Sequence, residues 1–74
     1  MRLSRCREGQ NVRIVRLHAA PLIRQRLMDL GFVRETAINI IRYAPLKDPM
    51  VVAVKGAHIS LRVQEAETVE VELL

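Results

Sequence analysis

A metal site or a nucleophilic catalyst needs His, Cys, Asp or Glu side chains held close together at matched spacing. This 74-residue sequence offers few candidates. Its single cysteine is Cys6, and its two histidines, His18 and His58, stand forty positions apart. Cys6 has no CxxC partner, so the three could meet only through the fold, and each reads more simply as a surface or edge residue. His58 and Ser60 share one face of a strand, but no acid at a suitable spacing orients the histidine. Neither GxxxxGK[ST] nor GxGxxG occurs, so neither phosphate-cradling loop is expected. The expectation is a protein with no catalytic residues, no metal ligands and no cofactor: not an enzyme.

Two other groups of residues could bind rather than react. The first is the stretch APLKDP, residues 44–49. Pro45 and Pro49 fix two backbone angles and bias Ala44 and Asp48 towards extended conformations. Such a loop holds Leu46, Lys47 and Asp48 in a preset shape, so little entropy is lost when they meet a partner. These three are the candidate partner-contact residues, the competing reading being that Leu46 caps a barrel end. The second group is a set of arginines. Arg2, Arg5, Arg7, Arg13, Arg16, Arg24 and Arg26 fill the first third, whereas Glu65, Glu67, Glu70 and Glu72 crowd the last ten residues. This polarity suits either an arginine-rich face for nucleic acid, anionic lipid or an acidic protein patch or terminal strands lying side by side with paired charges. The second arrangement is favoured.

The elements that must position these residues are legible from periodicity and punctuation. After the Gly9-Gln10-Asn11 turn, VRIVRL reads as a strand. Val12 and Ile14 share one parity and Val15 and Leu17 the other, which implies a switch or bulge near Val15. Pro21 suits the first turn of a helix. Ile23, Leu27 and Leu30 recur at i, i+4 and i+7 and are expected on its buried face. Gly31 stands where a left-handed stop is wanted, with Phe32 folding back. Four β-type segments follow, at Thr36–Tyr43, Met50–Lys55, His58–Val63 and Thr68–Leu73. Gly56-Ala57 is expected as a type II′ hairpin link, and 64–67 as about one helical turn. Leu27, Leu30, Gly31 and Gly56 are therefore the structural residues. Five short apolar strands should curl into a small, mainly β barrel, with one short helix between the first and second strands.

The totals agree with one small domain spanning 1–74. Half the residues are apolar and only Phe32 and Tyr43 are aromatic, so Val, Ile and Leu must build the core. One cysteine precludes an internal disulfide. The N-terminal MRLSRCREGQ lacks a signal peptide's apolar run. The longest such run, Met50–Val54, is far short of the roughly 20 residues that a membrane span requires. A cytoplasmic protein without direct membrane insertion is expected. Nucleic-acid binding is not expected either, because barrels that bind single strands offer aromatic platforms that this composition lacks.

Taken together, EGQNVRIVRL, RQRLMDLGFVRETAINIIRYAPLKDPM and ISLRVQEAETVEVE resemble the FeoA family of small bacterial proteins of ferrous iron uptake. The resemblance covers about Glu8 to Glu72 and implies an SH3-like barrel. It also implies a partner, the cytoplasmic GTPase-bearing part of the FeoB membrane transporter, which carries Fe²⁺ inward. On this reading the chain is a non-enzymatic accessory or regulatory module. The alternatives are a small basic barrel that binds nucleic acid, an SH3-like regulatory domain akin to the C-terminal domain of DtxR-type metal-dependent repressors, and a metal carrier using Cys6 and the histidines. Where the family often has Pro-Gly after the helix stop, this sequence has Arg34-Glu35.

Overall fold

The computed structural model describes residues 1–74. A 3₁₀ turn (Leu3–Arg5) leads into β1 (Asn11–Leu17), α1 (Pro21–Asp29), β2 (Ala37–Tyr43), β3 (Met50–Val54), β4 (Ala57–Leu61), α2 (Val63–Ala66) and β5 (Val69–Leu73). The strands form one five-stranded antiparallel sheet in the order β4-β3-β2-β1-β5. Mainly β, with few helical residues, it is the architecture expected from the sequence. Each strand turns alternate side chains inward, as the pleat demands. Val12, Ile14, Ile38, Ile40, Met50, Val52, Val54, Leu61, Val69 and Val71 are all at most 1% exposed. The core holds 15 residues, none of them polar or charged.

Two bulges let five short strands wrap this core. On β1 the pairing with β5 steps from Ile14↔Val71 to Arg16↔Glu70, leaving Val15 as the extra residue. A bulge adds local twist and switches parity, so Leu17, opposite Val69, turns back towards the core. On β2 the pairing with β3 steps from Ile40↔Val52 to Arg42↔Val51, and Ile41 is the extra residue. Tyr43 thereby packs on the core beside Met50. The edges of β4 and β5 are not paired with each other. β5 is instead covered by the N-terminus: Val71 donates to the Met1 carbonyl at 2.7 Å, and Arg2 bridges Glu70. Leu3 and Ala66 plug the remaining gap, both fully buried.

The helix stop follows the Schellman pattern. Gly31, at φ +102, donates its N–H to the Met28 carbonyl at 2.9 Å, and Phe32 donates to the Leu27 carbonyl at 2.9 Å. Leu27 and Phe32 are the apolar pair that accompanies this motif, and both are fully buried. Leu30 departs from the expectation. It is 40% exposed, because Phe32 folds back into the space that the helical repeat assigned to Leu30. A short distance on, Glu35 takes φ +72, where glycine would be free of strain. Its N–H donates to the Ile14 carbonyl at 2.8 Å, which ties this turn to β1.

Two further expectations are corrected. The β3–β4 link is Lys55-Gly56, one residue earlier than expected, since Val54 pairs with Ala57. Both central residues have positive φ (+49 and +83), which defines type I′ rather than II′. That twist matches the strands, and Lys55 accepts the left-handed angle to achieve it. Cys6 is a core residue, 2% exposed, because the 3₁₀ turn folds it and Leu3 inward.

Two stability outcomes follow from this packing. Leu27→Ala should cost about 2–5 kcal/mol, while exposed Leu30→Ala should cost less than about 1 kcal/mol, both read from urea melts. Gly31→Val should destabilise by about 1–2 kcal/mol or more, since its left-handed backbone angle, φ +102, disfavours any side chain. Wild-type melting of that variant would place the helix stop elsewhere.

Candidate functional site

The most preorganised exposed feature is the 44–49 loop between β2 and β3. Lys47 N–H donates to the Ala44 carbonyl at 2.6 Å, closing a turn with Pro45 at its second position. Ala44 N–H donates to the Pro49 carbonyl at 2.9 Å and closes the base, and the Asp48–Pro49 bond is cis. Asp48 anchors the loop from outside: its Oδ1 accepts the Val63 N–H at 3.1 Å, at the start of α2. Arg62 Nη1 lies 3.9 Å from the same oxygen.

These bonds leave Leu46 at the tip, 91% exposed, the most exposed large apolar side chain in the protein. It caps nothing. Lys47, at φ +67, is exposed and lines the adjoining groove. Of the three candidate contact residues, Leu46 and Lys47 are presented to solvent, whereas the Asp48 carboxylate is occupied in holding the loop.

The groove has a volume of about 710 Å³, with Arg5, Arg7, Glu8, Tyr43, Pro45 and Lys47 along it. Its far wall is the N-terminal segment. The Tyr43 hydroxyl donates to the Cys6 carbonyl and lies 3.3 Å from the Ser4 carbonyl. Glu8 Oε2 accepts the Tyr43 N–H at 3.0 Å. Partial burial, helped by Cys6 and Glu8, raises the Tyr43 pKa and keeps the phenol protonated as a donor. In the sequence, Arg5 and Arg7 are only members of the arginine-rich first third, and Tyr43 only one of two aromatics; nothing sets them beside the 44–49 loop. No local pattern joins residues nearly forty positions apart; only the pairing of strand ends does.

Elsewhere some charges pair across the neighbouring terminal strands, as expected, while most of the arginines of the first third make no ion pair. Arg13, on β1, bonds Glu72 on β5 and lies 3.5 Å from Glu35, and the Glu72 bond raises its pKa. His18 Nε2 lies 2.7 Å from Glu70 Oε1, a bond that lowers the Glu70 pKa. Arg26 bonds Glu65, linking α1 to α2.

Cys6, His18 and His58 are not brought together, and no three His, Cys, Asp or Glu side chains form a group that could hold a metal ion. Burial raises the Cys6 pKa and so disfavours the thiolate that would ligate a metal. Anaerobic calorimetry with Fe²⁺ should therefore show no stoichiometric site tighter than about micromolar. A one-to-one isotherm lost on Cys6→Ser would contradict this.

A family model of the FeoA domain matches residues 1–73. The chain belongs to the FeoA family. It is 36% identical over its whole length to an Fe²⁺ transport protein A/Fe²⁺ transporter FeoB fusion protein of Porphyromonas gingivalis, and spans 9% of that protein's length. The solution structure of a Chlorobium tepidum FeoA protein superposes with a TM-score of 0.94 at 39% identity, over all of this chain and 70% of that one. The zinc complex of Stenotrophomonas maltophilia FeoA, described as a procaryotic SH3 domain protein, superposes with a TM-score of 0.80 at 30% identity. That match covers 97% of this chain and 89% of the other. The fold is thus SH3-like. No helix is long and apolar enough to cross a membrane.

Proposed function

We propose that this FeoA-family domain is a non-enzymatic accessory module of ferrous iron uptake. It works on the cytoplasmic side, docked on the cytoplasmic part of a FeoB-type Fe²⁺ transporter. One observation carries the docking surface: Leu46 stands almost fully exposed on a loop whose backbone is already bonded into shape. An apolar side chain held this way gains burial on contact and loses little conformational freedom. Lys47 and the groove arginines add positive charge beside it, so an acidic rim around an apolar pocket is the complementary surface. The Porphyromonas gingivalis fusion supports the partnership, because it joins an FeoA segment and a FeoB transporter in one chain. The Stenotrophomonas maltophilia protein, discussed as a ferrous iron transport activating factor, supports the accessory role.

The test is the double variant Leu46→Ala/Lys47→Glu against the cytoplasmic domain of FeoB. Affinity should fall at least about tenfold, because interface energy concentrates in a few anchors. Thermal melts should nearly overlap the wild type, since surface changes of this kind shift stability by about 0.5 kcal/mol or less. Normal binding by the variant would move the docking surface off the loop.

A further inference from the structure

Three of the arginines that no ion pair neutralises converge at a second place, away from the groove beside the 44–49 loop. Arg16 at the end of β1, Arg24 on α1 and Arg34 in the turn after the helix line one cleft of about 320 Å³. All three are exposed. The five ion pairs of the protein draw their cations from Arg13, His18, Arg26 and Arg62, and none uses these three. No acidic residue lines the cleft. Glu70 lies within the field of Arg16, but its carboxyl is already bonded by His18.

The rest of the lining is apolar. Leu17, Met28 and Val33 form the walls over the fully buried Phe32, and Met28 remains 40% exposed. A methionine at such a surface adapts to differently shaped apolar groups. Three guanidinium forks around an apolar floor match carboxylates that flank an aliphatic side chain, because each fork can bind a carboxylate through two parallel bonds. We infer that this cleft receives an acidic peptide segment of a partner protein, with one aliphatic side chain on the apolar floor and flanking Asp or Glu side chains on Arg16, Arg24 and Arg34.

A single nucleic-acid strand fits the lining less well. Its bases would need a stacking platform, whereas Phe32 is sealed in the core and Tyr43 lines the other groove. An anionic bilayer also fits less well, since the exposed Leu22 and Met28 of α1 and Leu30 at its C-cap are interspersed with Arg24, Gln25, Arg26 and Asp29 and form no continuous apolar face to lie in an interface. This cleft and the groove beside the 44–49 loop share no lining residue.

The probe is a synthetic peptide, acetyl-Glu-Glu-Leu-Glu-Glu-amide, titrated at low salt into the isotope-labelled protein and followed by amide NMR shifts. Shifts should cluster at Arg16, Leu17, Arg24, Met28, Val33 and Arg34. Arg24→Glu/Arg34→Glu should weaken binding at least about tenfold, while Arg5→Glu/Arg7→Glu, the same change of net charge elsewhere, should alter it less than about twofold. Replacing the peptide's Leu by Ser should weaken binding at least about threefold, since the apolar floor then loses its occupant. The Leu46→Ala/Lys47→Glu variant should bind the peptide as the wild type does, which separates this cleft from the loop. Equal weakening by both arginine double variants would reduce the effect to net charge and overturn the inference. So would shifts scattered over the surface. Tighter binding of a short oligonucleotide or of phosphatidylglycerol vesicles at the same residues would also overturn it, replacing the acidic peptide with that partner.

Discussion

Bending is the constraint on which this small protein depends. Its buried side chains are almost all aliphatic, and a flat sheet of five short strands would leave one apolar face in water. Val15 and Ile41, each an extra residue opposite a shorter register, relieve this by adding twist and switching parity within a strand. Leu17 and Tyr43 are the beneficiaries, turned onto the core beyond each bulge. Both exposed sites lie just past these switches. Tyr43 forms a wall of the groove beside the 44–49 loop, and Leu17 a wall of the arginine cleft.

The electrostatics follow from the same pairing. Antiparallel alignment of β1 with β5 places Arg13 against Glu72 and brings His18 to Glu70. Exposed pairs of this kind contribute little stability. Their larger effect is to select which basic groups remain free. With Arg13 and Arg26 neutralised, part of the unpaired positive charge lies in the cleft of Arg16, Arg24 and Arg34 and part around Arg5, Arg7 and Lys47. Four arginines of the N-terminal third are thus divided between two separate basic clefts.

Local strain is confined to turns. Glu35, Lys47 and Lys55 all take positive φ without being glycine. Each is held by what surrounds it: Glu35 by a backbone bond to β1, Lys47 by the turn it closes, and Lys55 by the hairpin. At Glu35 the chain holds a glycine-like backbone angle with a side chain that reaches Arg13.

Much was legible in the sequence because it is written locally. Change of parity at Val15, the glycine stop at Gly31 and the proline-bounded loop each reflect a backbone preference or a repeat that a few neighbouring residues carry by themselves. The family resemblance, spread along most of the chain, added the barrel type. Tertiary structure decided the rest. Leu30 kept the helical repeat of Leu27 yet is exposed, because Phe32 returns to the core first. Cys6 resembled an edge residue until the 3₁₀ turn folded it inward. The hairpin register shifted by one because strand twist, not the position of Gly56, selects the turn type. For the arginine cleft and the Tyr43 groove the sequence showed only an excess of arginine, not which arginines would share a surface. Their residues are assembled from separate elements by strand pairing and helix packing, and a linear pattern cannot specify which distant side chains those contacts will leave facing one another.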